Sequence, residues 1–419
     1  MRFFRWRESL RTSLWLIPTL CVATAAGLGL LLVEVDRNLA TAIGFRGGPD
    51  SAQNFLSTIS SSMITFTGLV FTITIVVLQL ASQQFSPRVL RTFLRDRHSQ
   101  FALGVFTATF AYALIILRAV RTEASAGGEF VPSLSVSVAF VLVMLSLALF
   151  VDYIHHIAQS IRVPSITSSI GDETRAAIGD IYDHEHTDVP VPLPVDGQVV
   201  DVPAPRRGIL TALDRDRLVS QAEREDCVVE VVPAIGDFVP EGSTLLRLHG
   251  GKRADPGVFV DHVGLGPERT MQQDPAFGFR QLVDIAERGL SPAVNDPTTA
   301  VQCLDEIHDL LRRLAARAFP SGQRFDASGS LRLTFPVTSW DGYVSLACDE
   351  IRQYGGGSIQ IHRRLRSMLA DLMSIAPRER HAPLRRQLAL LDESADLNLD
   401  HAQDRAVAKE SDEQGIGGT

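Results

Sequence analysis

Four stretches of the chain are apolar almost without a break, and the rest alternates in shorter runs. They run from Leu14 to Val33, Ile59 to Leu80, Phe101 to Val120 and Ser133 to Ile154. At ~1.5 Å per helical residue, each is long enough for the roughly 30 Å of hydrocarbon in a bilayer. No charge lies near a centre; Arg118 and Asp152 sit at ends, where side chains reach headgroups or water. The leader "MRFFRWRESLR" has the charge of a signal peptide. The apolar run behind it is too long for one, however, and the small residues Ala40, Thr41 and Ala42 come only after the charged "EVDR". A retained helix is expected.

Loop charges predict the orientation. The leader carries Arg2, Arg5, Arg7 and Arg11, and the second loop Arg88, Arg91, Arg95 and Arg97, against two arginines in the first loop and, counting Arg118 at the span end, two around the third. Both termini and the second loop are therefore expected in the cytoplasm, in a multi-pass protein of the cell inner membrane. Trp6 and Trp15 flank the first span as interfacial anchors. In the second loop, Ser86 and Pro87 can open a helix with Val89, Leu90, Phe93 and Leu94 on one face. That is either a surface helix or an extension of the second span.

The second span is unusually rich in hydroxyls. Thr58, Ser61, Thr65, Gly68, Thr72, Ile75 and Gln79 recur at helical spacing and form one stripe; Ser60, Thr67 and Thr74 form a second line opposite. One reading is helix packing, with the second span central among its neighbours and each small polar contact worth about 0.6 kcal/mol. The other is a wet path in an oligomer, with Ile75 as a dewetting gate. Pattern alone leaves both open. Ala23–Gly27 and Ala25–Gly29 in the first span suit close helix contact.

After residue 160 the pattern changes. A Pro-rich linker (161–194) leads to a β-rich module (195–252) with strands "GQVVDV", "GILTAL", "CVVEVV", "FV" and "STLLRLH", plus a helix capped by Asp214. The run "GDFVPEGSTLLRL" is similar to the closing strands of biotinyl/lipoyl-type hammerhead folds, but no lysine lies between residues 195 and 250 to carry a cofactor. An α+β helical domain (253–398) follows. Phe279, Leu282, Val283 and Ala286 make one buried face, Asp296 caps the next helix, and Val301, Leu304, Ile307, His308 and Leu311 line it. A polar tail (399–419) is expected to be disordered. The fold class is thus a four-helix membrane domain (1–160) followed by a cytoplasmic α+β region with a small barrel or hammerhead-like module and a helical part.

The net charge of −8 and the lack of a basic patch argue against nucleic acid. The four cysteines have no metal-site or disulfide spacing. "GGG" at 355–357 lies between helices and lacks the strand and lysine of a phosphate loop. No nucleophile or zinc-protease motif occurs, so neither an enzyme nor a cofactor is expected. Asp274, Asn295 and Asp296 are candidates for a cytoplasmic pocket, although capping and turn roles explain each. Asp152, His155 and His156 are candidate metal ligands, against the plainer reading of a solvated interfacial face. "DHEH" (183–186) is a second metal candidate, with a soluble loop as its plainer reading.

Three stretches together carry a resemblance: "SSSMITFTGLVFTITIVVLQLASQQFSPRVL", "DRLVSQAEREDCVVEVVPAIGDFVPEG" and "QDPAFGFRQLVDIAERGLSPAVNDPTTAVQCLDEI". They resemble a bacterial family of predicted membrane proteins of unknown function, over roughly residues 5 to 395. The resemblance implies four amino-terminal spans and a cytoplasmic carboxyl domain, and no substrate or catalytic residue. The expectation is an oligomeric channel- or transport-like protein with a cytoplasmic regulatory domain. Its partners would be the lipid bilayer, further copies of itself and an unknown small ligand or ion. The alternative is a non-conducting sensory or interaction module.

Overall fold

The computed structural model describes residues 15–39, 44–84, 96–121, 129–160, 162–182, 191–193, 198–250 and 255–413. The leader, the helix expected in the second loop and "DHEH" lie outside the described residues. The chain divides into two compact units, one ending at Arg162 and one running from Val163 to the carboxyl terminus.

The first unit holds α1 (Leu16–Leu39), α2 (Pro49–Gln84), α3 (Arg97–Ala119) and α4 (Ser133–Ser160). All four are long and apolar enough to cross a membrane. Each apolar run was expected to form a helix, and each does, with polar turns added at the ends. The third span, not the second, is central: half of it is buried, against about a fifth of each of the others. The reason is its small residues. Ala102, Gly104, Ala108 and Ala113 are buried along α3 and let its neighbours close in. A Cβ on Gly104 would meet Cys21 Sγ at 2.9 Å and Pro18 Cα at 3.2 Å. From the first span, Ala25 is buried and Gly29 lies against Tyr112 and Ile115, whereas Ala23 and Gly27 face outward.

The second unit begins with α5 (Val163–Tyr182) and continues through β1 (Val199–Pro203), β2 (Gly208–Leu213), α6 (Arg215–Arg224), β3 (Cys227–Val231), β4 (Phe238–Val239) and β5 (Thr244–Gly250). Then come α7 (Pro256–Val260), β6 (Val263–Gly266), α8 (Pro275–Leu290), α9 (Pro297–Ala315), β7 (Gln323–Phe325) and β8 (Leu331–Thr334). The unit closes with α10 (Trp340–Tyr354), α11 (Ile359–Ile375), α12 (His381–Asn398) and α13 (Ala402–Ala408).

The β-region lends the barrel or hammerhead detail no support. Its strands form two sheets, ordered β1-β5-β3-β8-β7 and β4-β2-β6, and no closed barrel is found among the described residues. Nor does it end at residue 252: β6, β7 and β8 come from later in the chain, and β8 pairs in parallel with β3. Leu210, Leu218, Val229, Leu246, Phe259 and Leu333 join the two sheets and α6 in one core. The helical layer is held by the expected stripes, with Phe279, Leu282, Val283, Ala286, Leu304, Ile307 and Leu311 fully buried. His308 sits at the edge of that stripe.

Two devices fasten this layer. A Cβ on Gly278 would overlap the Thr174 side chain, so α5 and α8 cross in close contact there. Arg175 of α5 reaches Glu306 at 2.6 Å and Asp309 at 2.7 Å on α9. The tail also departs from expectation. α13 buries Ala408 against Ile359, Ala395 and Leu399, and buried Asp412 faces buried Arg363 at 3.9 Å.

Candidate functional site

Pro49 at the first position and Asp50 in the first turn start α2, and few interruptions follow for 36 residues. Its two polar lines face different surroundings. Ser60 is buried and Thr67 and Thr74 are half-buried, turned toward the bundle. Thr74 Oγ1 lies 2.8 Å from the Tyr153 hydroxyl of α4, which also donates to Val70 O at 3.3 Å. The other stripe turns away: Thr58, Ser61, Thr65, Gly68, Thr72, Ile75 and Gln79 are all exposed. Nothing approaches within 4 Å of a Cβ built on Gly68. The inner line thus packs within the bundle, and among the described residues no other span covers the outer stripe.

The outward hydroxyls are satisfied. Thr58, Ser61, Thr65 and Thr72 each donate to the carbonyl four residues back, at 2.8–3.0 Å. Their remaining lone pairs point outward, so the face accepts either hydrocarbon or water. A shallow groove of about 400 Å³ opens on it, lined by Ser61, Ser62, Thr65, Phe66 and Leu69.

Polar contacts tie the other spans together. Thr109 and Ser146 hydroxyls meet at 3.0 Å between α3 and α4. Asp36, at the end of α1, is buried and caps α4 from outside that helix. It accepts from Leu134 N at 3.1 Å, Ser135 N at 3.0 Å and Ser135 Oγ at 2.7 Å. The Tyr112 hydroxyl donates to Ser135 O at 3.0 Å on the same turn. Sequence reasoning passed over Asp36 and Tyr153. "EVDR" flags an acid at a span end, but nothing local names its partner.

The proposed metal ligands do not converge. His98 Nε2 lies 2.7 Å from Asp152 Oδ2, while His156 Nε2 lies 2.9 Å from Asp96 Oδ2. The two imidazoles stack at 4.3 Å, and His155 is exposed. Asp96 also caps α3 through His98 N and Ser99 N. Burial raises the Asp96 pKa, but hydrogen bonding from Ser99 and the charge and hydrogen bond of His156 outweigh it and hold the carboxyl below its usual range. This is a clasp between the ends of α3 and α4. Among the described residues no three His, Cys, Asp or Glu side chains are placed to hold a metal.

The pocket candidates also separate. Asp274 precedes α8, and Asn295 and Asp296 follow it, so a 16-residue helix of about 24 Å lies between them. Asp274 is buried; burial raises its pKa, and its ion pair with Arg269 opposes the rise. Arg269 in turn packs over Gly236, whose φ of +97° suits glycine. Asn295 takes a left-handed turn at φ 50°, and Asp296 accepts from Thr299 N at 3.2 Å as the expected cap. "GGG" is likewise a helix–helix turn: a Cβ on Gly355 would strike Ile361, and one on Gly356 would crowd Asn398. The thiols of the second unit are buried, which pushes Cys227 up to about 11 and Cys348 up to about 12.

Four apolar helices long enough to span a bilayer, followed by a mixed α/β unit, define a membrane protein with a large extramembrane part. The chain belongs to the family described as "Predicted membrane protein (DUF2254)", whose model matches residues 11–371. It is similar to the uncharacterised protein Rv1290c of Mycobacterium tuberculosis and the uncharacterised protein Mb1321c of Mycobacterium bovis. Each is 34% identical over 414 residues, covering 96% of this chain and 79% of the relative. No solved structure matches.

Proposed function

We propose that copies of this chain assemble in the inner membrane around the second span, so that its outward stripe lines a water-accessible path between copies. Both termini lie in the cytoplasm in this reading, as the arginine-rich leader and second loop require, and the second unit regulates the path. The observation that carries it is the exposure of all seven stripe positions over Thr58–Gln79, while the polar line opposite is used inside the bundle. Ile75 is the bulky apolar residue on the stripe and forms its gate.

A non-conducting anchor for a sensory or interaction module is the second reading. It is favoured by the hydroxyls closing on their own carbonyls and by the open space at Gly68, which suit a dry seam between copies. Cysteines placed at Thr65 and Thr72 in native membranes separate the two. Labelling of both by a membrane-impermeant thiol reagent supports the path, and protection of both supports the seam. Purified protein should then carry current across planar bilayers that changes in Ile75→Ser; no current in any assembly removes conduction.

A further inference from the structure

Arg215 and Arg324 of the second unit are half-buried, and no acid among the described residues forms an ion pair with either. Arg215 opens α6 and lays its guanidinium over the Phe335 ring, 4.7 Å from the centroid. Its Nε is buried without a hydrogen-bond partner. Arg324 lies on β7, the edge strand of the five-stranded sheet, opposite Leu333 of β8. Directly opposed residues share a sheet face. Leu333 is fully buried in the core that holds Leu218 and Ala222 of α6, so Arg324 lies on the α6 side. Phe335, two residues beyond Leu333, continues that face, and its amide bonds Gly322 O at 2.8 Å.

Among the described residues neither guanidinium makes an ion pair or a side-chain hydrogen bond. Of the acids nearby, Asp214 holds Arg217 at 3.4 Å, and Asp216, exposed, acts on Arg215 only through its charge, which burial and Arg324 outweigh. The Tyr182 hydroxyl is engaged with Tyr343 at 3.0 Å. Burial first, and the charge of Arg324 second, hold Arg215 below its ordinary pKa. A buried guanidinium nitrogen such as Arg215 Nε is costly to leave without a partner, because an uncompensated charge is desolvated.

We infer that Arg215 and Arg324 form a binding site for a dianionic phosphate group, each guanidinium fork taking oxygens from one side while Phe335 fixes the Arg215 plane. Two positive charges match a phosphate monoester, and planar forks suit its tetrahedral oxygens. The inference stands independently of the permeation reading, since no step of it uses the spans.

The test is thermal unfolding and calorimetric titration of the full-length protein in detergent. The probes are inorganic phosphate and vesicles of phosphatidylcholine with or without phosphatidic acid. Protection by inorganic phosphate assigns a soluble ligand; protection by phosphatidic acid vesicles alone assigns a headgroup. Either, weakened at least tenfold in Arg324→Gln and partly restored in Arg324→Lys, upholds the site. Arg324→Gln should also melt at or above the wild-type temperature without ligand, because it removes a repulsion. No response to either probe, or a response that Arg324→Gln leaves intact, overturns the inference.

Discussion

Replacing Asp36 with alanine removes three hydrogen bonds at one stroke, because one carboxylate serves the first turn of α4 from the end of α1. The Ser135 amide would be left in a fully buried position, and such an orphan costs about 1–3 kcal/mol. The Leu134 amide is half-buried, so water recovers part of its loss, and the Ser135 hydroxyl can turn to another acceptor. Loss of an ordinary N-cap costs about 0.5–2 kcal/mol, and the full burial of the Ser135 amide puts this cap at or above the top of that range. The expected total is therefore about 2–4 kcal/mol, read by denaturant titration of the detergent-solubilised protein with helix content as the signal. Asp36→Asn keeps one acceptor and should lose roughly half as much by the same reasoning. Ser135→Ala combined with Asp36→Ala should cost less than the sum of the two, since both remove one shared contact. An Asp36→Ala protein within about 0.5 kcal/mol of wild type would refute the cap, because no buried amide can be orphaned so cheaply.

Gly278→Ala should destabilise the second unit by about 1–3 kcal/mol in thermal unfolding, since Thr174 is β-branched and cannot swing aside. Adding Thr174→Ala should recover most of that loss. Arg380 donates to Leu314 O, Ala315 O and Arg317 O at 2.7–3.0 Å and stacks on Phe319, so Arg380→Ala should uncap α9 and cost about 2 kcal/mol by the same measurement. Burial and the neighbouring Glu350 push Glu287 up to about 7, above its ordinary 4.5. A raised acid pKa means the fold prefers the protonated form, so this contribution is complete below 4.5 and lost as pH rises toward 7. The melting temperature of Glu287→Gln relative to wild type should accordingly climb across that interval and level off above it. His308 is held below 6.5, by burial first. Its contribution is present above 6.5 and fades as pH falls through that value, a loss that His308→Gln should reduce.

The span cores and the buried stripes of α8 and α9 were legible because a continuous apolar run, or a repeat of 3.6, is a local property. The caps at Asp214 and Asp296 were legible for the same reason, each sitting within one turn of the amides it serves. Contacts across long separations were not. Periodicity shows that α2 has two polar lines but not which one a neighbour covers, so a central second span was only one of two open readings, and nothing local pointed to the third. Thr74 and Tyr153 are 79 residues apart, and Asp36 and Leu134 are 98 apart. The strand-turn-strand run around "GDFVPEG" reads the same whether a sheet closes on itself or recruits β8 from a hundred residues on.

The position of α3 has a consequence for biogenesis. The helices α1 and α2 find most of their packing on α3, which is synthesised after them. Until it inserts, both must wait in lipid without a lasting partner, and Asp36 must wait longer still, for the helix it caps comes last. Assembly of this membrane unit is therefore committed late in translation, and a nascent chain truncated after the second segment should show little interhelical protection.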